Sequence, residues 1–298
     1  MKIQFIQDLI DKFRNKIFLL DLFVILKHKI ETADKYHTLI LGSSHIFPFK
    51  PAEGEFNAAM ISQDLYSSYM MYKKLNNSDI KNVVVSFSVF SPGYCMIKTA
   101  KNWQLSVLYK LLFGIDYEYR DVALEKGAFA KEKHFQKAIN SALKKVDKLL
   151  KKERKIKPET LTDKHAERVA AGHLKNNQRE VDEMLWCQKI IELAEQSGQN
   201  LFFFIAPFTR GFKKYLPSSD VLFEKLYNMC KGRKNVYILN YYDYNGFEEK
   251  DFMGCDHLGI EAWQEIKNKE SMTDILRQDI KAVLEDKKLK IVAECNLK

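Results

Sequence analysis

At 298 residues, with 46% hydrophobic content, the chain can hold one large α/β domain or two small ones around an ample core. Its 12 glycines and 6 prolines are too few for long disordered tracts or for a turn-dense all-β architecture. The formal charge of +9 comes largely from lysines between residues 131 and 157, which read as a solvated helix face or as a surface for an acidic partner. Zinc-ligand spacing, a basic zipper and an aromatic RNA-binding signature are all missing, so a nucleic-acid partner is not expected.

Five cysteines, Cys95, Cys187, Cys230, Cys255 and Cys295, form no CxxC pair and predict free thiols in a reducing compartment. Cys255 reads as a small buried filler, with a nucleophilic role as the alternative, since it stands two residues before His257. The apolar run 17–26 is broken by Asp21, is too short to span a bilayer and lacks a cleavage site. A cytoplasmic protein follows, with peripheral membrane contact left open.

In chain order, residues 2–29 predict a helix, because Phe5, Leu9, Phe13 and Ile17 recur at four-residue steps among charged residues. Its apolar stripe suits packing on the domain, a homo-oligomer contact or an in-plane membrane anchor. Next, Leu39, Ile40 and Leu41 form a short buried strand that stops at Gly42, releasing Ser43 and Ser44 into a turn with a helix expected after it. His45 reads as structural or loop-facing. Residues 56–57 predict a short strand ending in an exposed Asn57, and 63–75 a helix. The run 82–90 is β-branched and continuous enough for a strand buried on both faces of a parallel sheet, and Ser91-Pro92-Gly93 ends it.

Residues 105–175 are charged, glycine-poor and without strand signals, which predicts a helical insertion or lid, broken near 158–162. Met184, Cys187, Ile191 and Ala194 then supply the core face of a helix. Strands are expected at 200–206 and 235–239, with a helix at 219–231 between them. This alternation gives one α/β domain over 1–298, a three-layer, mostly parallel sheet with right-handed crossovers. In such a sheet Gly42, Ser43, Ser44, Asn57, Ser91 and His257 all follow strands at one carboxyl edge, where ligands bind.

A serine at a strand exit and an acid-histidine pair near the chain's end are the parts of a hydrolytic serine site, if the fold joins them. With Gly42-Ser43-Ser44 as nucleophile block and Asp251-Phe252-Met253-Gly254-Cys255-Asp256-His257-Leu258 as terminal block, the chain resembles the SGNH, or GDSL-like, hydrolases. Within them it is similar to the branch associated with bacterial surface-polysaccharide and teichoic-acid modification. The resemblance implies a flavodoxin-like fold, Ser44 as nucleophile and His257 as base; no cofactor or metal is expected, since His134, His165 and His173 show no paired ligand spacing. It places an oxyanion donor near Ser62, and Ser88 or Ser91 where the family carries an asparagine. The family's acid, three residues before the histidine, is here Gly254. Asp256 or Asp251 then replaces it, or a backbone carbonyl orients the imidazole, or the reaction has been lost. The implied activity is a serine esterase or O-acyltransferase acting on a glycan or glycan precursor, an anionic one included. The alternative is a catalytically degenerate binding or scaffold protein in polysaccharide assembly.

Overall fold

The computed structural model describes residues 21–32, 35–96, 103–116, 163–177, 183–264 and 269–285. These fall into two compact units, one within Met1–Ala33 and Lys101–Lys157, the other within Asp34–Ala100 and Pro158–Lys298. In the first unit, residues 21–31 are helical, and the Phe23 ring meets Tyr109 edge-on at 4.8 Å and stacks on Phe113 at 5.7 Å. The stripe Phe5, Leu9, Phe13 and Ile17 and the lysine-rich stretch 131–157 lie outside the described residues. No described helix is long and apolar enough to cross a membrane.

The second unit is built on five parallel strands: β1 (Thr38–Leu41), β2 (Glu55–Asn57), β3 (Asn82–Phe87), β4 (Asn200–Ile205) and β5 (Val236–Asn240). Their order across the sheet is β2-β1-β3-β4-β5, a doubly wound arrangement. Every residue of β1, and all but the first of β3 and β4, is buried. That requires helices on both faces, which explains the continuous rather than alternating hydrophobicity of these strands.

Besides the helical residues 21–31, the described helices include α1 (Leu65–Leu75), α2 (Trp103–Phe113), α3 (Asp163–Asn177), α4 (Met184–Gln196), α5 (Arg210–Lys213), α6 (Ser219–Cys230), α7 (Ile260–Gln264) and α8 (Met272–Leu284). On one sheet face Ile40, Val84, Phe202, Phe204 and Leu239 pack with Trp263 of α7 and Met272 and Leu276 of α8. Strand residues of the other parity face the opposite way. There Phe87 meets both Phe203 and Phe223 of α6, and α4 packs on α1, β4 and α6. The fold is thus α/β with a three-layer parallel sheet, as the alternation of elements predicts.

Three local expectations change. β3 ends at Phe87 rather than residue 90, because the Ser88 amide turns onto Ser91 Oγ at 2.9 Å and a 3₁₀ turn, Ser91–Gly93, follows. No helix follows Ser44: Ile46 N and Phe47 N both donate to Ser43 O, a single turn that Pro48 cannot extend. Asn57 is half-buried, its Nδ2 donating to Phe47 O and Phe49 O and its Oδ1 accepting from Ala59 N. It pins the loop after β1.

Candidate functional site

The strand order reverses between β1 and β3, the position at which doubly wound sheets bind ligands. Gly42 begins the turn out of β1 with φ +125°, and a Cβ on it would lie 2.1 Å from Ser86 Oγ. Only glycine fits. The chain approaches closely because its amides need partners once the ladder ends. Gly42 N–H donates to Gln63 Oε1 at 2.8 Å, and Ser43 N–H to Ser86 Oγ at 2.9 Å. These two bonds fix the backbone that presents Ser44.

His257 arrives from a tight loop after β5. Phe252 and Leu258 form an antiparallel bridge, Met253 N–H donates to His257 O, and Gly259 N–H to Asp251 O. Gly254 turns the tip with φ +84°. The loop is tied to the exit of β4, where Thr209 donates both its N–H and its hydroxyl to Cys255 O. Cys255 itself is buried.

These two loops bring Ser44 Oγ to 2.7 Å from His257 Nε2, while His257 Nδ1 lies 2.8 Å from Asp256 Oδ1. A serine hydroxyl, an imidazole and a carboxylate stand in hydrogen-bonded series, the arrangement serine acyl chemistry requires. The other oxygen, Asp256 Oδ2, is 3.2 Å from Nε2 of His173 on α3. Burial alone would push the Asp256 carboxyl up. The hydrogen bonds from His173 and His257 instead hold it below the usual carboxylate range. It is therefore ionised at neutral pH, as an acceptor of imidazole N–H must be.

Of the two acids expected to replace the one missing at Gly254, Asp256 makes the contact. Asp251 closes a capping box, with Oδ2 accepting from Glu248 N–H at 2.8 Å and facing Lys269 Nζ at 3.5 Å. Ser88 and Ser91 pair with each other at the β3 exit, their hydroxyls 3.4 Å apart. Ser62 has φ +63°, the one left-handed backbone among the described non-glycine residues, in the turn between β2 and α1. Such strain recurs at functional positions.

Sequence reasoning misses four contributors. His45 is 3% exposed, and its ring lies parallel to that of His257 at 4.3 Å between centroids. Adjacency to Ser44 was its only signal. Gln63 and Ser86 hold the turn before Ser44, while Gln63 Nε2 is buried without a hydrogen-bond partner. His173 reaches Asp256 across 83 positions of sequence, which no local pattern announces. No metal-binding group of His, Cys, Asp and Glu occurs among the described residues.

Neither a family model nor a curated protein matches the chain. Among solved structures it is similar to one from Streptococcus pneumonia, provisionally named as a platelet activating factor, with 10% identity, a TM-score of 0.41, and coverage of 89% of this chain and 94% of that one.

Proposed function

We propose that this protein is a serine esterase or O-acyltransferase of the SGNH type, working through an acyl-Ser44 intermediate. The observation that carries the reading is the series Ser44 Oγ, His257 Nε2, His257 Nδ1, Asp256 Oδ1, with contacts of 2.7 and 2.8 Å. A serine hydroxyl is a weak nucleophile at neutral pH, and an imidazole within hydrogen-bond reach makes it competent. His257 Nε2 takes the Ser44 proton as Oγ attacks the ester carbonyl. The imidazolium is held by ionised Asp256, then returns the proton to the departing alkoxide. A water, or a hydroxyl of an acceptor, repeats the steps in reverse and frees Ser44.

The tetrahedral oxyanion needs donors placed before the reaction. This reading assigns the Ser44 and Ser62 amides, each worth about 3 kcal/mol of barrier if the usual cost of losing such a donor applies. A glycan or glycan precursor as the acyl-bearing partner rests on the resemblance of the Gly42-Ser43-Ser44 and Asp256-His257 blocks to the polysaccharide-modifying branch.

The test is labelling with a fluorophosphonate probe, with the adduct located by mass spectrometry. A Ser44 adduct that disappears in Ser44→Ala and His257→Ala is the expected result. A folded parent protein that takes no label would refute the reading and favour the binding-protein alternative.

A further inference from the structure

The Ser44–His257–Asp256 series leaves one neighbouring group without a role. Helix α3 packs against the Ser91–Gly93 turn and α5, and it delivers His173 to the far oxygen of the Asp256 carboxylate. The His173 ring stacks on Phe90 at 5.3 Å and 24°, and meets Phe212 edge-on at 6.1 Å. It is a held ring, with its Nε2 directed at Oδ2.

A second donor matters here because of where the acid sits. An acid on a separate segment is aimed by its own backbone, independently of the histidine. Asp256 and His257 are consecutive, so the same short loop carries both, and only the Asp256 side-chain torsions turn its carboxylate toward Nδ1. A carboxylate with one partner can rotate about its last torsion, which is broad and roughly two-fold. With Oδ1 on His257 at 2.8 Å and Oδ2 on His173 at 3.2 Å, that rotation is stopped at both ends.

We propose that His173 is a positioning residue of this site: its Nε2–H donates to Asp256 Oδ2 and so holds Oδ1 on His257 Nδ1, making α3 part of the catalytic apparatus. This inference rests on the esterase reading for its consequence in turnover, though not for its effect on His257. Loss of His173 therefore frees the carboxylate to turn away from His257 Nδ1. The titratable groups of the cluster are Asp256, His257 and His45, and the contacts on His173 from the β3 exit and from α5 are the uncharged Phe90 and Phe212.

The experiment compares His173→Phe, which keeps an aromatic ring and removes the donor, with His173→Gln, whose amide Nε2 reaches about as far as the imidazole Nε2. The hydrogen-bonded Nδ1–H resonance of His257 is recorded by NMR in the full-length proteins, and the rate of fluorophosphonate labelling at Ser44 is measured alongside. In His173→Phe that resonance loses its downfield position and labelling slows about tenfold, the worth of one charge-assisted hydrogen bond, while His173→Gln restores the resonance and returns labelling to within about twofold. Thermal melting of each variant separates loss of positioning from loss of folding, and His173→Met serves as the donor-free variant should the phenylalanine not fold. An unchanged His257 Nδ1–H resonance in the donor-free variant, or equal effects of donor-free and glutamine variants, would overturn the proposal. A parent protein unlabelled at Ser44 would refute the esterase reading alone, and the Nδ1–H resonance would still decide the role of His173.

Discussion

Replacing His45 by phenylalanine tests whether the site rests on a buried neutral imidazole. Neither ring nitrogen of His45 has a hydrogen-bond partner, and the ring is enclosed by His257 at 4.3 Å, Phe90 at 5.5 Å and Phe208 at 5.8 Å. Burial first, and then the charge of His257, hold its pKa well below that of an ordinary imidazole, so the folded ring stays neutral. In the unfolded chain it titrates near its ordinary value of about 6.5. Above that pH neither state binds the proton and the linkage vanishes. Below it only the unfolded state does, so native stability is lost progressively as pH falls from about 6.5 toward the folded pKa. The limiting slope is about 1.4 kcal/mol per pH unit, which gives about 2 kcal/mol between pH 7.5 and pH 5 while the folded ring remains neutral. His45→Phe keeps the stack and deletes the titration. At pH 7.5 the relief of two unpartnered polar atoms and the cost of a slightly larger ring are each about 1–3 kcal/mol, so they oppose at similar size. The change in the difference with pH is the decisive quantity. Denaturant unfolding of both proteins, followed by tryptophan fluorescence from pH 7.5 to 5, should show the variant gaining about 2 kcal/mol over the parent. A difference that stays constant with pH would mean His45 takes up its proton equally in both states, and would refute the buried neutral ring.

Asp256→Asn is expected to slow turnover of an activated acetyl ester by about 10³- to 10⁴-fold, because an amide neither fixes the imidazole tautomer nor stabilises the imidazolium; retention within about tenfold would remove Asp256 from the mechanism. Gly254→Asp, which restores an acid three residues before His257, should not accelerate labelling. At φ +84° an L-residue costs about 1–2 kcal/mol, and its Cβ would stand 3.8 Å from Asp256 Oδ1, setting like charges side by side. Faster labelling in that variant would show that Asp256 is not the operative acid. Gly42→Ala places a Cβ 2.1 Å from Ser86 Oγ at φ +125°, and a loss of about 3 kcal/mol or more in denaturant unfolding is expected; unchanged stability would contradict the close approach of β1 and β3.

The sheet is legible in the sequence because burial on both faces forces continuous apolar runs. Leu39 to Leu41, Val83 to Val85 and Leu201 to Ile205 differ from the amphipathic helices around them by that feature alone. Element ends are harder, since they depend on which side chain captures a strand's last amides. Ser88 reads as strand by propensity, yet Ser91 Oγ takes its N–H and ends β3 at Phe87. Ser44 and His257 are legible because glycine-bounded turns expose them after predicted strands. The acid is less so. Counting back three positions leads to Gly254, but the Phe252–Leu258 bridge makes that position a left-handed tip, and the hydrogen bond falls to the adjacent Asp256. His173, Gln63 and Ser86 contribute through contacts 83, 21 and 43 residues apart in sequence, which exist only once the sheet has formed.

The switch between β1 and β3 is a physical reason for the site's position as well as a topological one. Where neighbouring parallel strands end and their continuations diverge, backbone amides lose ladder partners while still buried, and side chains must replace those partners. Here Gln63 accepts from Gly42 and Ser86 from Ser43, so the two residues before Ser44 cannot relax toward solvent. The 252–258 loop is anchored at Cys255 by Thr209, from the exit of β4. Ser44 and His257 are thus carried by two backbone segments, each fixed through carbonyls and amides whose satisfaction the fold itself requires. Moving those segments apart would mean exposing buried amides or breaking the Thr209 anchor. At about 1–3 kcal/mol for each unsatisfied group, that is steep enough to keep in place the two backbones that bear the 2.7 Å contact.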